Sequence, residues 1–267
     1  MRPKAKGRPD TPEGHHGWDD YAPFYDWENA RTFGRRDVPF WRRLVAGRGG
    51  RALELGCGTG RVTLPLARTG AATVVGVDRS EAMLARGRRR LRRARVDGVS
   101  LLRGDIRHLP FAPGVFDTVI APYGILQSLL RERDLGSTLR AVRDVLATDG
   151  VFGLELVADL PAWREYRRRV TMRGHRGRSG QPITLMESVR QDPDRGLTFF
   201  DQEFVEGRGR TARRHRFTLT FRTVSIPQMA RRLEKAGFEV AAVLGDYRGG
   251  PWDLRAEVWI LLATKRS

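Results

Sequence analysis

The fold is decided by Leu53-Glu54-Leu55-Gly56-Cys57-Gly58-Thr59-Gly60, an apolar run that ends in three closely spaced glycines. A helical pattern follows, and glycines at the carboxyl end of a strand let a ligand lie against the backbone of an α/β sheet. A dinucleotide-binding fingerprint needs glycine at position 61, where Arg61 stands, and the Gly-Lys-Ser/Thr of a phosphate-binding loop is absent. The stretch therefore predicts a ligand site that is neither a dinucleotide-binding fingerprint nor a phosphate-binding loop.

Two carboxylates follow the next two predicted strands. Val74-Val75-Gly76-Val77 has the pattern of a buried strand that ends at Asp78, and Gly104-Asp105-Ile106 comes after the third apolar run. An acid after the second strand is placed to accept hydrogen bonds from both hydroxyls of a ribose. An acid after the third strand is placed to accept from an adenine amino group, beside an apolar contact from Ile106. Each acid alone also suits a helix N-cap, but together with the glycines they favour a nucleoside ligand.

Strand and helix patterns alternate from residue 52 to residue 157. Helices are predicted to begin at Val62, Ser80 and Ser137, between apolar runs at 52–55, 72–77, 99–102, 115–121 and 151–157. Short connections of this kind make right-handed βαβ units, which form a parallel sheet covered on both faces. The sequence therefore predicts an α/β fold.

Residues 161–224 interrupt this alternation. After a short helix predicted around 163–169, extended patterns separated by turn signals cover 183–190, 197–205 and 214–224. We expect an antiparallel β insertion between the fifth strand and the following helix, lying over the carboxyl edge of the sheet as a substrate lid. A helix from Ser225 to about Ala236 and two strands, 238–246 and 256–263, close the chain.

The remaining parts of the chain have simpler patterns. Residues 1–17 are predicted to be a disordered basic tail, and 18–48 a helical leader over the ligand site. The core of the protein is expected to comprise 49–160 and 225–267.

Composition limits the class of protein. The chain has 267 residues, 40% of them hydrophobic, which is enough to bury a core without disulfides or metals. Its one cysteine, Cys57, excludes an intramolecular disulfide and a thiolate metal cluster, and we expect no metal site. No run approaches the roughly 20 apolar residues that span a bilayer, and Met1-Arg2-Pro3-Lys4 lacks a secretory pattern. We expect a cytoplasmic protein without a membrane partner.

The charge is strongly basic. The formal net charge is +18, from 49 Lys+Arg and 31 Asp+Glu, yet only four of the basic residues are Lys. So strong a preference for Arg is typical of codon bias in a GC-rich genome, and it favours that explanation over selection for phosphate binding. A preference for anions is expected, if anywhere, at 80–97 and 161–226, where the excess of Arg is concentrated.

The glycine stretch, Asp78 and Gly104-Asp105 resemble the cofactor motifs of class I S-adenosylmethionine-dependent methyltransferases. The resemblance covers about 50–160 and extends to the closing pair of strands. It implies a Rossmann-like sheet of seven strands in the order 3-2-1-4-5-7-6, with the seventh antiparallel. The leader segments 25–29 and 37–40, and the insertion, are similar to those of small-molecule N- or O-methyltransferases.

This resemblance implies a site for S-adenosylmethionine, with S-adenosylhomocysteine as the product. The cofactor-binding residues that it implies are Tyr25, Arg35, Glu54, Gly56, Gly58, Gly60, Asp78, Arg79, Met83, Asp105, Ile106 and Ala121. Tyr123 and Glu155, near the ends of the fourth and fifth strands, are the candidates for catalytic roles. The structural alternative for Tyr123 is a wall of the site, and the alternative for Glu155 is a polar group paired inside the sheet.

The acceptor is predicted by elimination. Methyltransferases that act on amino groups of bases carry Asp/Asn-Pro-Pro-Tyr/Phe after the fourth strand, where this chain has Ala121-Pro122-Tyr123-Gly124. A cysteine nucleophile of the kind that makes 5-methylcytosine is also absent there. We therefore expect in-line methyl transfer to nitrogen or oxygen of a small molecule, by a monomer or homodimer. The alternative is an RNA-binding methyltransferase in which Arg86–Arg95 and the insertion hold phosphates.

Overall fold

The computed structural model describes residues 17–30, 36–69, 71, 73–159, 163–177 and 180–266. The predicted tail lies almost wholly outside these residues. The helices are α1 (Trp18–Asn29), α2 (Val38–Ala46), α3 (Thr63–Leu66), α4 (Glu81–Ala94), α5 (Glu132–Val145) and α6 (Ile226–Lys235). The strands are β1 (Arg51–Leu55), β2 (Thr73–Asp78), β3 (Val99–Arg103), β4 (Phe116–Ala121), β5 (Leu146–Leu156), β6 (Tyr166–Arg176), β7 (Gln181–Asp192), β8 (Leu197–Glu206), β9 (Arg213–Arg222), β10 (Phe238–Leu244) and β11 (Trp259–Lys265).

A seven-stranded sheet forms the centre of the protein, in the order β3-β2-β1-β4-β5-β11-β10. Strands β1 to β5 pair in parallel, whereas β11 runs antiparallel to both β5 and β10. Counted over the strands of this sheet alone, the order is 3-2-1-4-5-7-6, so the predicted α/β fold is confirmed. The carboxyl ends of β1, β2, β3 and β4 therefore meet at one edge, where an α/β sheet binds its ligands.

Helices cover both faces of this sheet. On one face α5 and α6 pack against the central strands through fully buried side chains such as Leu139 and Leu233. On the other face α2 contributes Trp41 and Val45, which are also fully buried. Two elements begin five residues earlier than predicted: α5 begins at Glu132 rather than near Ser137, because Gly136 lies inside the helix, and β5 begins at Leu146 rather than at Val151. In the described part of the chain, no helix is long and apolar enough to cross a membrane.

The insertion is a separate antiparallel sheet in the order β6-β7-β8-β9. The antiparallel prediction is confirmed, but the helix predicted around 163–169 is wrong, because Tyr166–Arg176 forms the edge strand β6. The Arg-rich sequence there suits an exposed helix as well as an edge strand, and the pairing with β7 decides between them. The ladder is irregular between Tyr166 and Arg169, where Arg168 has φ of 46°.

Helix α1 packs between the insertion and helix α4. Its Phe24 ring stacks on Phe204 of β8 with centroids 4.6 Å apart, and Trp27 Nε1 donates to the His175 carbonyl at 3.1 Å. On its other side, Asp26 pairs with Arg90 of α4 at 2.9 Å. The leader helix is therefore held by the insertion on one side and by α4 on the other.

Candidate active site

One cavity of about 660 Å³ lies at the carboxyl edge of the main sheet. The predicted site residues that line it are Tyr25, Gly56, Gly58, Asp78, Arg79, Met83, Asp105, Ile106 and Tyr123. Glu54, Gly60, Ala121 and Glu155 lie behind this lining, and Arg35 lies outside the described residues. Residues far apart in the chain are thus brought to a single cavity, whose volume is in the range of a small-molecule site.

The three glycines of the β1 loop have left-handed backbone, with φ of 62° at Gly56, 52° at Gly58 and 71° at Gly60. A Cβ on Gly56 would clash with Ile125 at 2.4 Å, so that glycine is required by packing inside the protein. A Cβ on Gly58 would meet only the Tyr25 ring, at 4.0 Å, and would project where the loop borders the cavity. Gly58 therefore leaves room for a ligand against the backbone.

Asp78 ends β2 beside this loop. Its Oδ2 accepts from the Gly58 nitrogen and its Oδ1 from the Ser80 nitrogen, both at 2.8 Å. A carboxylate offers about four acceptor sites, so both oxygens retain capacity toward the cavity. Burial raises the pKa of Asp78, although the backbone hydrogen bonds oppose that shift. The carboxylate thus orders the glycine loop and also lines the site.

Asp105 follows β3 and is enclosed by two arginines. Its Oδ2 accepts from Arg107 Nη2 at 2.7 Å and from Arg79 Nη1 at 3.3 Å. Partial burial raises the pKa of this carboxyl, but the hydrogen bonds and charge of Arg107 outweigh burial and hold the pKa below its usual range. Ile106 is buried next to it. The site therefore has a charged carboxylate and an apolar surface at the place predicted for an adenine.

The start of α4 closes another side of the cavity. Met83 is buried, and its backbone nitrogen donates to the Ser80 side chain at 3.1 Å in a helix N-cap. Ser80 in turn donates to Asp19 of α1 at 2.5 Å. Asp19 and its neighbour Trp18 both line the cavity. Sequence reasoning missed these two residues, because nothing in the 18–20 stretch indicates that α1 reaches the loop after β2.

Glu54 is buried beneath the glycine loop and accepts a hydrogen bond from the Thr63 hydroxyl. Burial raises its pKa to about 8, with the bond from Thr63 opposing the shift. The side chain is therefore neutral over much of the physiological range.

A buried ion pair supports the wall of the cavity. Arg61 donates through both terminal nitrogens to the two oxygens of Asp37, each at 2.7 Å. Its guanidinium lies 5.7 Å from the centre of the Tyr123 ring and next to the Tyr25 hydroxyl. Burial raises the pKa of Tyr25, so that phenol is neutral. In the sequence, Arg61 drew attention only because it stands where a dinucleotide-binding fingerprint needs glycine. Its partner Asp37 lies 24 residues away, and no sequence motif relates the two.

Tyr123 enters the cavity from an unusual backbone conformation, with φ of 56°. Its nitrogen donates to Oε2 of Glu155 at 3.0 Å, and the hydroxyl of Tyr247 donates to Oε1 at 2.5 Å. Burial raises the pKa of Glu155 to about 7. Glu155 therefore touches Tyr123 and Tyr247, and it does not reach the cavity itself.

The remaining wall comes from the segment after β4 and from the insertion. Apolar side chains of Ile125, Leu129 and Leu130 lie on one side, and Leu197 and Phe221 lie on the other. Insertion strands therefore border the same cavity as the glycine loop. The sequence indicated that aromatic positions of the insertion such as Phe221 face the acceptor, but it did not indicate Leu197 or the apolar side chains after β4.

Known sequences resemble the part of this chain that contains the glycine loop, Asp78 and Asp105. A family model described as a methyltransferase domain matches residues 52–150. A demethylmenaquinone methyltransferase from Corynebacterium efficiens is 32% identical over a 195-residue alignment that covers 66% of this chain and 77% of that protein. A ubiquinone/menaquinone biosynthesis C-methyltransferase from Geobacter sulfurreducens is 34% identical over 135 residues, covering 46% of this chain and 51% of that protein.

Solved structures share the fold at lower identity. An S-adenosylmethionine-dependent methyltransferase from Clostridium acetobutylicum superposes with a TM-score of 0.77 at 17% identity, covering 94% of this chain and 99% of that one. An amino pentose methyltransferase from Micromonospora echinaspora, solved with S-adenosylmethionine bound, has a TM-score of 0.68 at 23% identity, covering 91% of this chain and 95% of that one. Matches of this extent include residues of the insertion as well as of the main sheet.

Proposed function

The chain belongs to the class I S-adenosylmethionine-dependent methyltransferases, and we propose that its acceptor is a nucleophilic nitrogen or oxygen of a small molecule. The observation that carries this proposal is that a single cavity of about 660 Å³ is bordered both by the glycine loop and by the insertion. Gly58 and Asp78 lie on one side of it, and Leu197 and Phe221 on the other. A volume of this order suits a cofactor with a small acceptor beside it.

The cofactor is S-adenosylmethionine, and the proposal assigns its contacts to residues of the lining. Gly58 gives the backbone room for the ligand, and Asp78 accepts from the ribose hydroxyls. Asp105 and Ile106 take the adenine, with Met83 packed against the ring. Glu54 and Gly60 act indirectly in this proposal, because they shape the loop from behind.

When bound, the cofactor's sulfonium supplies an electrophilic methyl carbon and a neutral thioether leaving group. In transfer to such an acceptor, the acceptor lone pair would form the new bond to that carbon while the carbon–sulfur pair returned to sulfur, and the acceptor proton would pass to solvent once the product has left the cavity. The residues of this chain then have to align the acceptor in line and exclude water. Such alignment contributes up to about 7–11 kcal/mol to lowering the barrier.

We assign these tasks to the aromatic and apolar walls. Tyr25 and Tyr123 border the cavity and are braced from behind by Arg61. Glu155 is a positioning residue in this proposal, since it accepts from the Tyr123 nitrogen and the Tyr247 hydroxyl and is not part of the cavity lining. It holds Tyr123 in place and takes no proton from the acceptor.

The insertion is proposed to act as the substrate lid. Its Leu197 and Phe221 cover the acceptor side, and removing them would open that side to water. The lid is fixed to the rest of the protein, because Gln127 donates to the Arg222 carbonyl at 2.9 Å and Glu132 accepts from the Arg222 guanidinium at 2.7 Å.

The experiment that tests this function is a screen for methyl transfer from tritiated S-adenosylmethionine to separate pools of amines, phenols, carboxylates and RNA. We expect label in the amine or phenol pool. Label only in RNA would favour the alternative in which the arginines of α4 and the insertion hold phosphates. Label on carbon would match the C-methyltransferase from Geobacter sulfurreducens and would contradict the proposal.

A further inference from the structure

We propose that Gln127 is a positioning residue for methyl transfer, which sets how far apart the two walls on the acceptor side of the cavity lie. One wall is the segment after β4, and the other is the insertion. This inference rests on the proposed function, because it assigns a role in the same cavity. Gln127 is 2% exposed and lies behind the cavity lining, so it acts through the residues that it holds.

The side chain of Gln127 binds backbone atoms on both sides of the insertion. Its Oε1 accepts from the Val157 nitrogen at 2.6 Å, and its Nε2 donates to the carbonyl oxygens of Val157 at 3.3 Å and of Arg222 at 2.9 Å. Val157 follows β5, where the chain leaves the main sheet, and Arg222 is the last residue of β9. Both donor hydrogens of the amide are used in this way. One buried side chain therefore holds the entry and the exit of the insertion together.

Gln127 also belongs to the wall opposite the insertion. Its backbone nitrogen donates to the Gly124 carbonyl at 2.9 Å. Gly124 has φ of 66°, and a Cβ there would lie 2.6 Å from Val157 Cγ2 and 3.0 Å from Gln127 Oε1. The glycine therefore permits the close approach of Gln127 to Val157. Tyr123 and Ile125, on either side of Gly124, both line the cavity.

The insertion wall is attached to the same amide. Phe221 directly precedes Arg222, and Leu197 pairs with Arg222 in the β8–β9 ladder. Both Phe221 and Leu197 line the cavity. A shift of the Arg222 carbonyl relative to Gln127 would therefore move both side chains relative to Tyr123. Since the rate depends on the alignment of donor and acceptor, a small displacement of one wall lowers turnover.

The ion pair between Arg222 and Glu132 is a weaker tie at the same place. The carboxylate of Glu132 is 60% exposed, and ion pairs of exposed groups contribute little. This pair also holds only the exit of the insertion. The Gln127 amide is buried, where the loss of a hydrogen-bond partner costs more, and it holds Val157 at the entry as well. Loss of the amide should therefore change the geometry of the walls.

The test compares Gln127→Met, which has a similar size and no amide, with Thr138→Val. The control removes a buried hydroxyl and its 3.0 Å bond to the Asp134 carbonyl inside α5. Initial rates are measured with tritiated S-adenosylmethionine and a concentration series of the amine or phenol pool that gains label. We expect kcat/KM for the pool to fall about tenfold or more in Gln127→Met and to stay within about twofold in Thr138→Val. Calorimetric Kd values for S-adenosylhomocysteine should be unchanged in both, which shows that each variant is folded.

A second variant, Gln127→Glu, separates positioning from stability. It keeps an acceptor for the Val157 nitrogen, and when protonated it also keeps one donor for a carbonyl. Burial and the facing carbonyls raise the pKa of a carboxyl placed there. Asp159 and Arg222 border the same small cavity as Gln127, and the Arg222 guanidinium is bound to Glu132. The rate of Gln127→Glu relative to the unchanged protein should therefore be higher at pH 6 than at pH 9, whereas Gln127→Met should give the same ratio at both.

Equal kcat/KM in Gln127→Met and in the unchanged protein would overturn this inference and leave the proposed function standing. An equally large loss in Thr138→Val, or a parallel loss of S-adenosylhomocysteine binding in Gln127→Met, would also overturn it, because either result indicates a general loss of structure. A ratio for Gln127→Glu that does not vary with pH would count against it too. Label in RNA alone, with the unchanged protein, would remove the proposed function and this inference with it.

Discussion

The backbone nitrogen of Tyr123 donates a 3.0 Å hydrogen bond to Oε2 of Glu155, 32 residues further along the chain. A second bond runs from the Gly124 nitrogen to the Glu155 carbonyl at 3.1 Å. Tyr123 has φ of 56°, which costs a residue other than glycine on the order of 1–3 kcal/mol. Glu155 thus stabilises a strained turn that presents an aromatic ring to the cavity.

The first prediction concerns this pair. Glu155→Ala should lower kcat by about tenfold or more with little change in the Kd of S-adenosylhomocysteine, because misplacing a wall residue costs alignment. Glu155→Gln keeps an acceptor for the Tyr123 nitrogen and should recover most of the activity. Steady-state kinetics across pH 6–9 decides the role. A Gln variant as inactive as Ala, with the loss of an inflection near neutral pH, would indicate a general base instead.

The second prediction concerns Asp78. Asp78→Asn should weaken binding of S-adenosylhomocysteine by about 1.5–3 kcal/mol, the scale of hydrogen bonds to a charged acceptor. Part of that loss comes from the glycine loop, since one of the bonds from Gly58 and Ser80 is lost with the second carboxylate oxygen. Calorimetry measures the affinity, and Asp97→Asn, at an exposed position before β3, is the control. Normal binding by Asp78→Asn would show that this carboxylate does not contact the nucleoside.

The third prediction is a pH dependence of stability. The pKa of Glu54 rises from 4.5 to about 8 on burial, so the folded state keeps a proton that the unfolded state has lost. The stabilisation is complete below about pH 4.5 and is lost as the pH rises through 8, so the free energy of unfolding should fall between those values. Glu54→Gln, which retains an acceptor for Thr63, should make that fall smaller. Denaturant unfolding at pH 5.5, 7 and 8.5 measures it, and equal slopes in both proteins would be incompatible with a neutral Glu54.

The fourth prediction concerns the insertion wall. Phe221→Ala should raise KM for the acceptor by about tenfold, as expected when an aromatic side chain no longer covers a ligand, while the Kd for S-adenosylhomocysteine stays the same. The control is Phe199→Ala, because Phe199 packs under Arg190 at 3.9 Å and is not part of the cavity lining. If both variants have the same KM as the unchanged protein, Phe221 is structural only.

The fold was predictable because its signals are local. Glycine spacing after β1, an acid at the end of β2 and another after β3 each lie within a few residues, and parallel connections bring strand ends to one edge. The strand β6 was not predictable in the same way, because an Arg-rich segment gains its hydrogen bonds only from β7. Long-range pairing decided its conformation.

The residues that hold the site residues in place could not be predicted from the sequence, for a similar reason. Asp37 binds Arg61, and Tyr247 lies 92 residues from its partner Glu155, with no motif to relate them. The leader helix is another example, since Phe24 stacks on Phe204 of the insertion while its neighbour Tyr25 borders the cavity. We therefore expect a deletion of the insertion to disturb the part of the cavity that Tyr25 borders as well as the side that Leu197 and Phe221 border.

The most direct test of the central claim is to determine which atom receives the methyl group. The protein is incubated with S-adenosylmethionine carrying a ¹³C-methyl group and with the acceptor pool that gains label, and proton–carbon correlation spectra are recorded on the product. We predict a methyl signal at the carbon shift of an N-methyl or O-methyl group, in a product that passes a small-molecule filter. A methyl signal at the shift of a carbon-bound methyl group, or label retained with RNA, would contradict this account.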